Sequence, residues 1–104
     1  MSSPVVYEVV VRCELDTTDR LNEYMRNRHL PQILATGCFA SIEFEQNSPD
    51  SFRTRYKADS QADLDRYLKE HTGEMREDFM AHFPSGIKAV ERVNWNVLQT
   101  FQRQ

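Results

Sequence analysis

Three histidines, two cysteines and four tyrosines carry most of the reactivity in this chain, and their spacing matches no nucleophile or metal motif. His29 falls at the predicted end of a first helix. There the negative end of the helix dipole favours its protonated form, and a broken backbone leaves carbonyls free to bind a donor. Its possible roles are an acid, a ligand anchor or a plain C-terminal cap, for which dipole energies of ~0.3–1 kcal/mol suffice. His71 lies within the apolar stripe of a second helix, between Leu68 and Met75. It either points into a pocket between helices and sheet or is a hydrogen-bonded core histidine. His82 joins that stripe only if Gly73 leaves the helix phase intact, and it is not assigned to a site.

Cys38 follows a helix and Gly37, a superficial likeness to a nucleophile turn, but the polarity is reversed. Activating turns run from strand to helix and bring the nucleophile to a positive helix N-terminus, whereas here the nearby terminus is negative and raises a thiol pKa. A buried structural cysteine is expected. Cys13 is not its partner, because the strands bearing them should run parallel and place the two thiols at opposite sheet edges. Glycine-rich phosphate loops, His-Glu-x-x-His, EF-hand loops and paired-cysteine motifs are absent, so no metal site and no bound cofactor is expected.

The elements that position these groups follow from periodicity. Pro4 to Cys13 alternates, with Val5, Tyr7, Val9, Val11 and Cys13 on one face and Val6, Glu8, Val10 and Arg12 on the other, a central strand. Asp16, Thr17 and Thr18 supply acceptors for free amides, and Asp19 suits the positive end of a helix. Along that helix Leu21, Tyr24 and Met25 share a stripe, but at about 100° per residue Leu30, Ile33 and Leu34 fall on another side. A break is expected at Pro31, which pushes Leu30 toward an extended conformation. A short second segment then ends at Thr36, with Gly37 as the left-handed residue.

Cys38, Ala40, Ile42 and Phe44 read as the inward face of a second strand, with Phe39, Ser41, Glu43 and Glu45 outward. Asn47 to Asp50 form a turn, and the next strand sets Phe52, Thr54, Tyr56 and Ala58 against Arg53, Arg55 and Lys57. Ser60 and Asp63 resemble a capping box for a second long helix, which Pro84-Ser-Gly86 stops. Ile87 to Leu98 is a last strand, with Ala89, Val93, Trp95 and Val97 toward the core. The order βαββαβ, with right-handed crossovers, gives an α+β, ferredoxin-like fold: a four-stranded antiparallel sheet of order 4-1-3-2 with both helices on one face. All 104 residues form a single domain, with 99–104 as a tail.

Tyr7, Tyr24, Tyr56, Tyr67 and Trp95 are then expected on the helix-covered side, as core or as the lining of a cavity. The opposite face is expected to be charged and mixed, with Arg12, Arg53, Arg55, Lys57 and Arg92 against Glu8, Glu43 and Glu45. Cross-strand pairs there contribute ~0.2–1 kcal/mol each. A formal charge of −3 gives no clustered basic excess for nucleic acid or an acidic membrane. An apolar signal core and runs of eighteen apolar residues are both absent, so a soluble, cytoplasmic protein is expected. RNA-binding modules on this frame display stacking aromatics on the open sheet, where Phe39 alone would stand among charges.

The run His29-Leu-Pro-Gln-Ile-Leu-Ala-Thr-Gly-Cys-Phe39, with Asp63-Leu-Asp-Arg-Tyr-Leu-Lys-Glu-His71 and Met75-Arg-Glu-Asp-Phe79, resembles a bacterial family of domains of unknown function, family 4286. The likeness covers nearly the whole chain and implies membership of the dimeric α/β-barrel group. That group includes small monooxygenases, isomerases, stress proteins and regulatory ligand-binding domains. Members of the family often carry Ala-Pro after the histidine matching His71, where this chain has Thr72-Gly73, which weakens the expectation of a helix restart there. The resemblance carries no catalytic residues with it.

Two functions fit these readings. One is a homodimer binding a small organic ligand between sheet and helices near Tyr7, His29, Tyr67, His71 and Trp95. In an enzyme of this kind His29 or His71 would move a proton while Arg76 orients an anionic group, with a cofactor-independent oxygenase or isomerase as the closest analogy. The other is a non-catalytic interaction module that uses the charged sheet face and tail.

Overall fold

The computed structural model describes residues 3–104. Strand β1 (Val5–Cys13) leads through a single 3-10 turn, Leu15–Thr17, into α1 (Thr18–Tyr24). A π-helical turn, Met25–His29, joins α1 to α2 (Leu30–Leu34). Then come β2 (Ser41–Ser48), β3 (Ser51–Ala58), α3 (Gln61–Glu70), α4 (Thr72–His82) and β4 (Ile87–Asn96). All strand pairs are antiparallel in the order β2-β3-β1-β4, the ferredoxin-like topology that the sequence predicts.

The local signals for β3, for the start of α3 and for the end of the first arm are met, whereas no side chain caps α1: Thr17 makes no cap bond and Thr18 Oγ1 donates to the Pro49 carbonyl instead. Phe52, Thr54, Tyr56 and Ala58 are buried, while Arg53 and Lys57 point to solvent. Ser60 Oγ accepts from the Asp63 amide at 3.2 Å, satisfying one of the free donors at the start of α3. Gly37 closes the first helical arm at φ +76°, a conformation in which a Cβ is disfavoured. Cys13 and Cys38 are free and buried.

Four expectations are corrected. The first helical arm does not break at Pro31, and Leu30 is helical at φ −70°, ψ −41°. Its amide donates to the Met25 carbonyl, five residues back, so one extra residue enters the turn immediately before the proline. The wider turn gives the ring room and rotates the following segment. Leu30 and Ile33 therefore join Leu21, Tyr24 and Met25 in the core, while Leu34 is left exposed.

The second arm is the one that breaks. His71 adopts φ −125°, ψ −32°, two residues before Gly73, and the helix restarts at Thr72 without a proline. Phe39 is also buried rather than outward: it precedes β2, so the strand's alternation does not govern it, and its ring packs 4.9 Å from Tyr67 and 5.2 Å from Tyr56.

The fourth correction concerns β4. Cys13 pairs with Ile87, but Arg12 pairs with Ala89, leaving Lys88 as an extra residue in a β-bulge. A one-residue insertion exchanges the two faces of everything beyond it. Arg92 and Asn94 stand opposite Val9 and Tyr7, on the helix-covered side, while Ala89, Glu91, Val93 and Trp95 lie on the open face. That face therefore has two halves. Over β2 and β3, Arg53 pairs with Glu45 at 2.8 Å and with Glu8 at 3.8 Å, and Arg55 pairs with Glu43 at 3.9 Å. Over β1 and β4, Trp95 and Val93 are 53% and 44% exposed beside Val6 and Val10.

Candidate ligand pocket

Between the sheet and the helical layer lies a cavity of about 310 Å³. Its sheet wall comes from Tyr7, Val9 and Val11 on β1, Tyr56 on β3, and Val90 and Arg92 on β4. Its helical wall comes from Met25 and His29 of the π turn, Tyr67 of α3, and Met75, Arg76 and Phe79 of α4. The restart after His71 sets the phase of α4, so the same local break that interrupts the second arm turns Arg76 and Met75 toward the sheet.

The helical end of the cavity rests on a hydrogen-bonded network. Arg28 Nε and Nη2 donate to the two oxygens of Asp78, both at 2.9 Å, across 50 residues of sequence. The Tyr24 hydroxyl donates to Asp78 Oδ2 at 2.7 Å. These donors hold the Asp78 carboxyl well below the ordinary carboxylate range. Burial, reinforced by Asp78, pushes the Tyr24 phenol up. The Tyr24 ring lies against His29, Phe79, His82 and Phe83, which locks the hydroxyl in place.

His29 is thereby defined in charge and tautomer. Its Nδ1 lies 3.3 Å from the Tyr24 oxygen. That hydroxyl proton is committed to a carboxylate, which can only accept, so Nδ1 carries a hydrogen and donates to Tyr24. Burial, only partly offset by Asp78, lowers the imidazole pKa to about 4, so the ring is neutral at pH 7. The sequence reading of a protonated group at a helix end is corrected: the π turn keeps the helix going, and desolvation outweighs any dipole term. Nε2 is left with a lone pair. No buried side-chain nitrogen or oxygen among the described residues lacks a partner, and none of their hydrogen bonds reaches Nε2, so this atom is accessible on a residue that lines the cavity.

At the sheet end, Arg76 Nη2 donates to the Tyr7 hydroxyl at 3.3 Å. Tyr7 packs at 5.7 Å from Tyr56 and 6.5 Å from Tyr67. Burial pushes the Tyr67 phenol up to about 12 and Tyr56 higher still, so both remain protonated donors at neutral pH.

Of the sequence-derived candidates, Tyr7, His29, Tyr67 and Arg76 meet around this cavity. His71 sits at the break between α3 and α4 with Nε2 3.9 Å from Glu70, outside the lining. Trp95 is on the opposite face of the sheet, because the Lys88 bulge reverses the strand beyond it. Arg92 enters for the same reason and was missed. Arg28 and Asp78 were missed as well, since nothing local in the sequence links two helices so far apart.

Comparison with solved structures places the fold among known ones. A protein of unknown function from Nitrosomonas europaea matches with a TM-score of 0.78 at 12% identity, over 99% of this chain and 97% of the other. A monooxygenase from Streptomyces coelicolor, in complex with nanaomycin D, matches at 0.76 and 13% identity over 98% and 94%. SnoaB, a cofactor-independent oxygenase from Streptomyces nogalater, matches at 0.72 and 9% identity over 98% and 100%. At such identities the likeness concerns the fold. No curated protein matches the chain. A model of the family described as a domain of unknown function, DUF4286, matches residues 4–96, nearly the full length, and the chain belongs to that family.

Proposed function

We propose that this protein binds a small organic molecule in the cavity between sheet and helices, and that His29 accepts a proton there. The observation that carries the reading is the neutral imidazole with Nδ1–H held by Tyr24 and Nε2 turned to accessible space. A ligand O–H placed against Nε2 would meet an acceptor oriented beforehand, and because burial also weakens this base, only a strongly acidified proton would transfer to it. Such a proton transfer suits isomerisation or oxygenation without a bound cofactor, and the folds of two named oxygenases with similar architecture are consistent with it.

A homodimer completes the reading. The apolar half of the open face, Val6, Val10, Val93 and Trp95, is covered by the same face of a second copy, and the ion-paired half forms the rim. Light scattering checks this: the native chain runs as a dimer, and Trp95→Glu shifts it to monomer. A native chain that is monomeric at high concentration ends the dimer reading.

For the pocket, a thermal-shift screen of small organic molecules yields compounds that raise the Tm, and His29→Gln lowers turnover or affinity for them while His71→Gln does not. Equal responses of the two variants would remove His29 from the proposal.

A further inference from the structure

Sixteen residues line the cavity, and none is acidic, although the chain carries 16 acidic against 13 basic side chains. Two of the sixteen are arginines. Arg92 reaches this side only because the Lys88 bulge reverses β4, replacing the apolar Val93 that regular alternation would have placed on the helix-covered face. Arg76 comes from the opposite wall and, among the described residues, its one side-chain hydrogen bond goes to Tyr7 Oη. Elsewhere Arg28, Arg53, Arg55 and Arg66 each stand within 4 Å of a carboxylate, whereas no carboxylate of the described residues pairs with Arg76 or Arg92. Both line this cavity, Arg76 hydrogen-bonded to Tyr7 and Arg92 on the neighbouring strand opposite Val9, two residues from Tyr7.

We propose that the ligand is an organic monoanion, an apolar body bearing one carboxylate that lies between Arg76 and Arg92. This inference rests on the cavity being a ligand site, as proposed above, and adds the charge class of its occupant. Guanidinium forks fit a planar carboxylate through paired N–H donors. The hydroxyls of Tyr7 and Tyr56 stand beside that end as further donors. Most of the remaining wall is Val, Met, Phe and Ile, with Thr72, Tyr67 and the neutral His29 as its polar groups, which suits a hydrocarbon or ring body and gives no place for a second charge.

The test uses three shape-matched probes, 2-naphthoate, 2-naphthamide and 2-naphthylmethylamine, titrated calorimetrically into the native chain and into Arg76→Gln, Arg92→Gln and Arg92→Lys. The naphthoate is expected to bind at least ~10-fold more tightly than the amide, to weaken as salt rises, and to lose about 10-fold in either glutamine variant. Arg92→Lys keeps most of the preference. Circular dichroism confirms that the variants fold, which their exposed positions favour. If the amide or amine binds as tightly as the naphthoate, or if both glutamine variants bind it normally, the anion inference fails while the pocket stands. If none of the three binds, the pocket reading fails with it.

Discussion

At the helical end of the cavity Asp78 accepts from both Arg28 and Tyr24, and Tyr24 in turn fixes His29, so each polar group answers another of the same chain. At the sheet end Arg76 meets only a phenol and Arg92 meets no carboxylate among the described residues. The contrast separates two uses of polar side chains in one small core. The first end holds its shape through a closed network, which is costly to disturb because any deletion strands a half-buried group. The second leaves two guanidinium groups without a carboxylate partner among the described residues on the cavity lining, where water screens them.

Breaking the closed end should have the largest effects. Tyr24→Ala removes a ring packed against four others as well as the Asp78 bond, and should cost about 3–5 kcal/mol in denaturant unfolding. A loss under about 1 kcal/mol would show that the network does not brace the helices.

The pH dependence of stability comes next. The folded-state pKa of His29, about 4, lies below the ordinary value of 6.5, so between these limits the unfolded chain binds more protons. Stability is unaffected by this group above pH 6.5 and falls as the pH drops toward 4, by roughly 1.4 kcal/mol per unit at most. Asp78, whose carboxyl is depressed, adds a further loss in the same direction below its ordinary range. Urea melts at stepped pH should show His29→Gln flattening the slope between 4 and 6.5 only. An unchanged slope would mean that His29 is not buried as a neutral ring.

Asp78→Ala leaves Arg28 and Tyr24 without their acceptor and should cost about 1–3 kcal/mol. It should also free the Tyr24 hydroxyl proton for His29 Nδ1, moving the imidazole hydrogen to Nε2; nitrogen-15 chemical shifts of the ring report the exchange. At the open end Arg76→Gln and Arg92→Gln should each change stability by less than about 0.5 kcal/mol, since neither bonds a charged partner. A larger loss would assign them to the architecture and erase the contrast.

Much of the framework was legible from local pattern. Alternation identified β1 and β3, Ser60 announced α3, Gly37 marked the end of the first arm, and the connection rules gave the strand order. Both irregularities escaped for the same reason. A π turn and a β-bulge each insert one residue, and nothing in a hydrophobic period distinguishes an inserted residue from a change of element. The incompatible stripes around Pro31 did register as a conflict, but a break and a wider turn resolve it equally well on paper. In β4 there was no conflict, because both faces of the strand mix apolar and polar residues.

The order of the strands, the buried faces of β1 and β3, the Ser60 cap of α3 and the Gly37 stop of the first arm were set by the sequence itself, because each depends on neighbours within a few residues or on general rules of chain connection. Which arginine enters the cavity, where Trp95 points and whether His29 carries a proton were decided only by the tertiary structure. Lys88 bulges against the partner strand β1, and His29 becomes neutral because distant elements close over it, against the opposing charge of Asp78 on α4, which sets the tautomer by accepting the Tyr24 hydrogen bond. Desolvation and register are properties of surfaces brought together, and no stretch of a single element contains them.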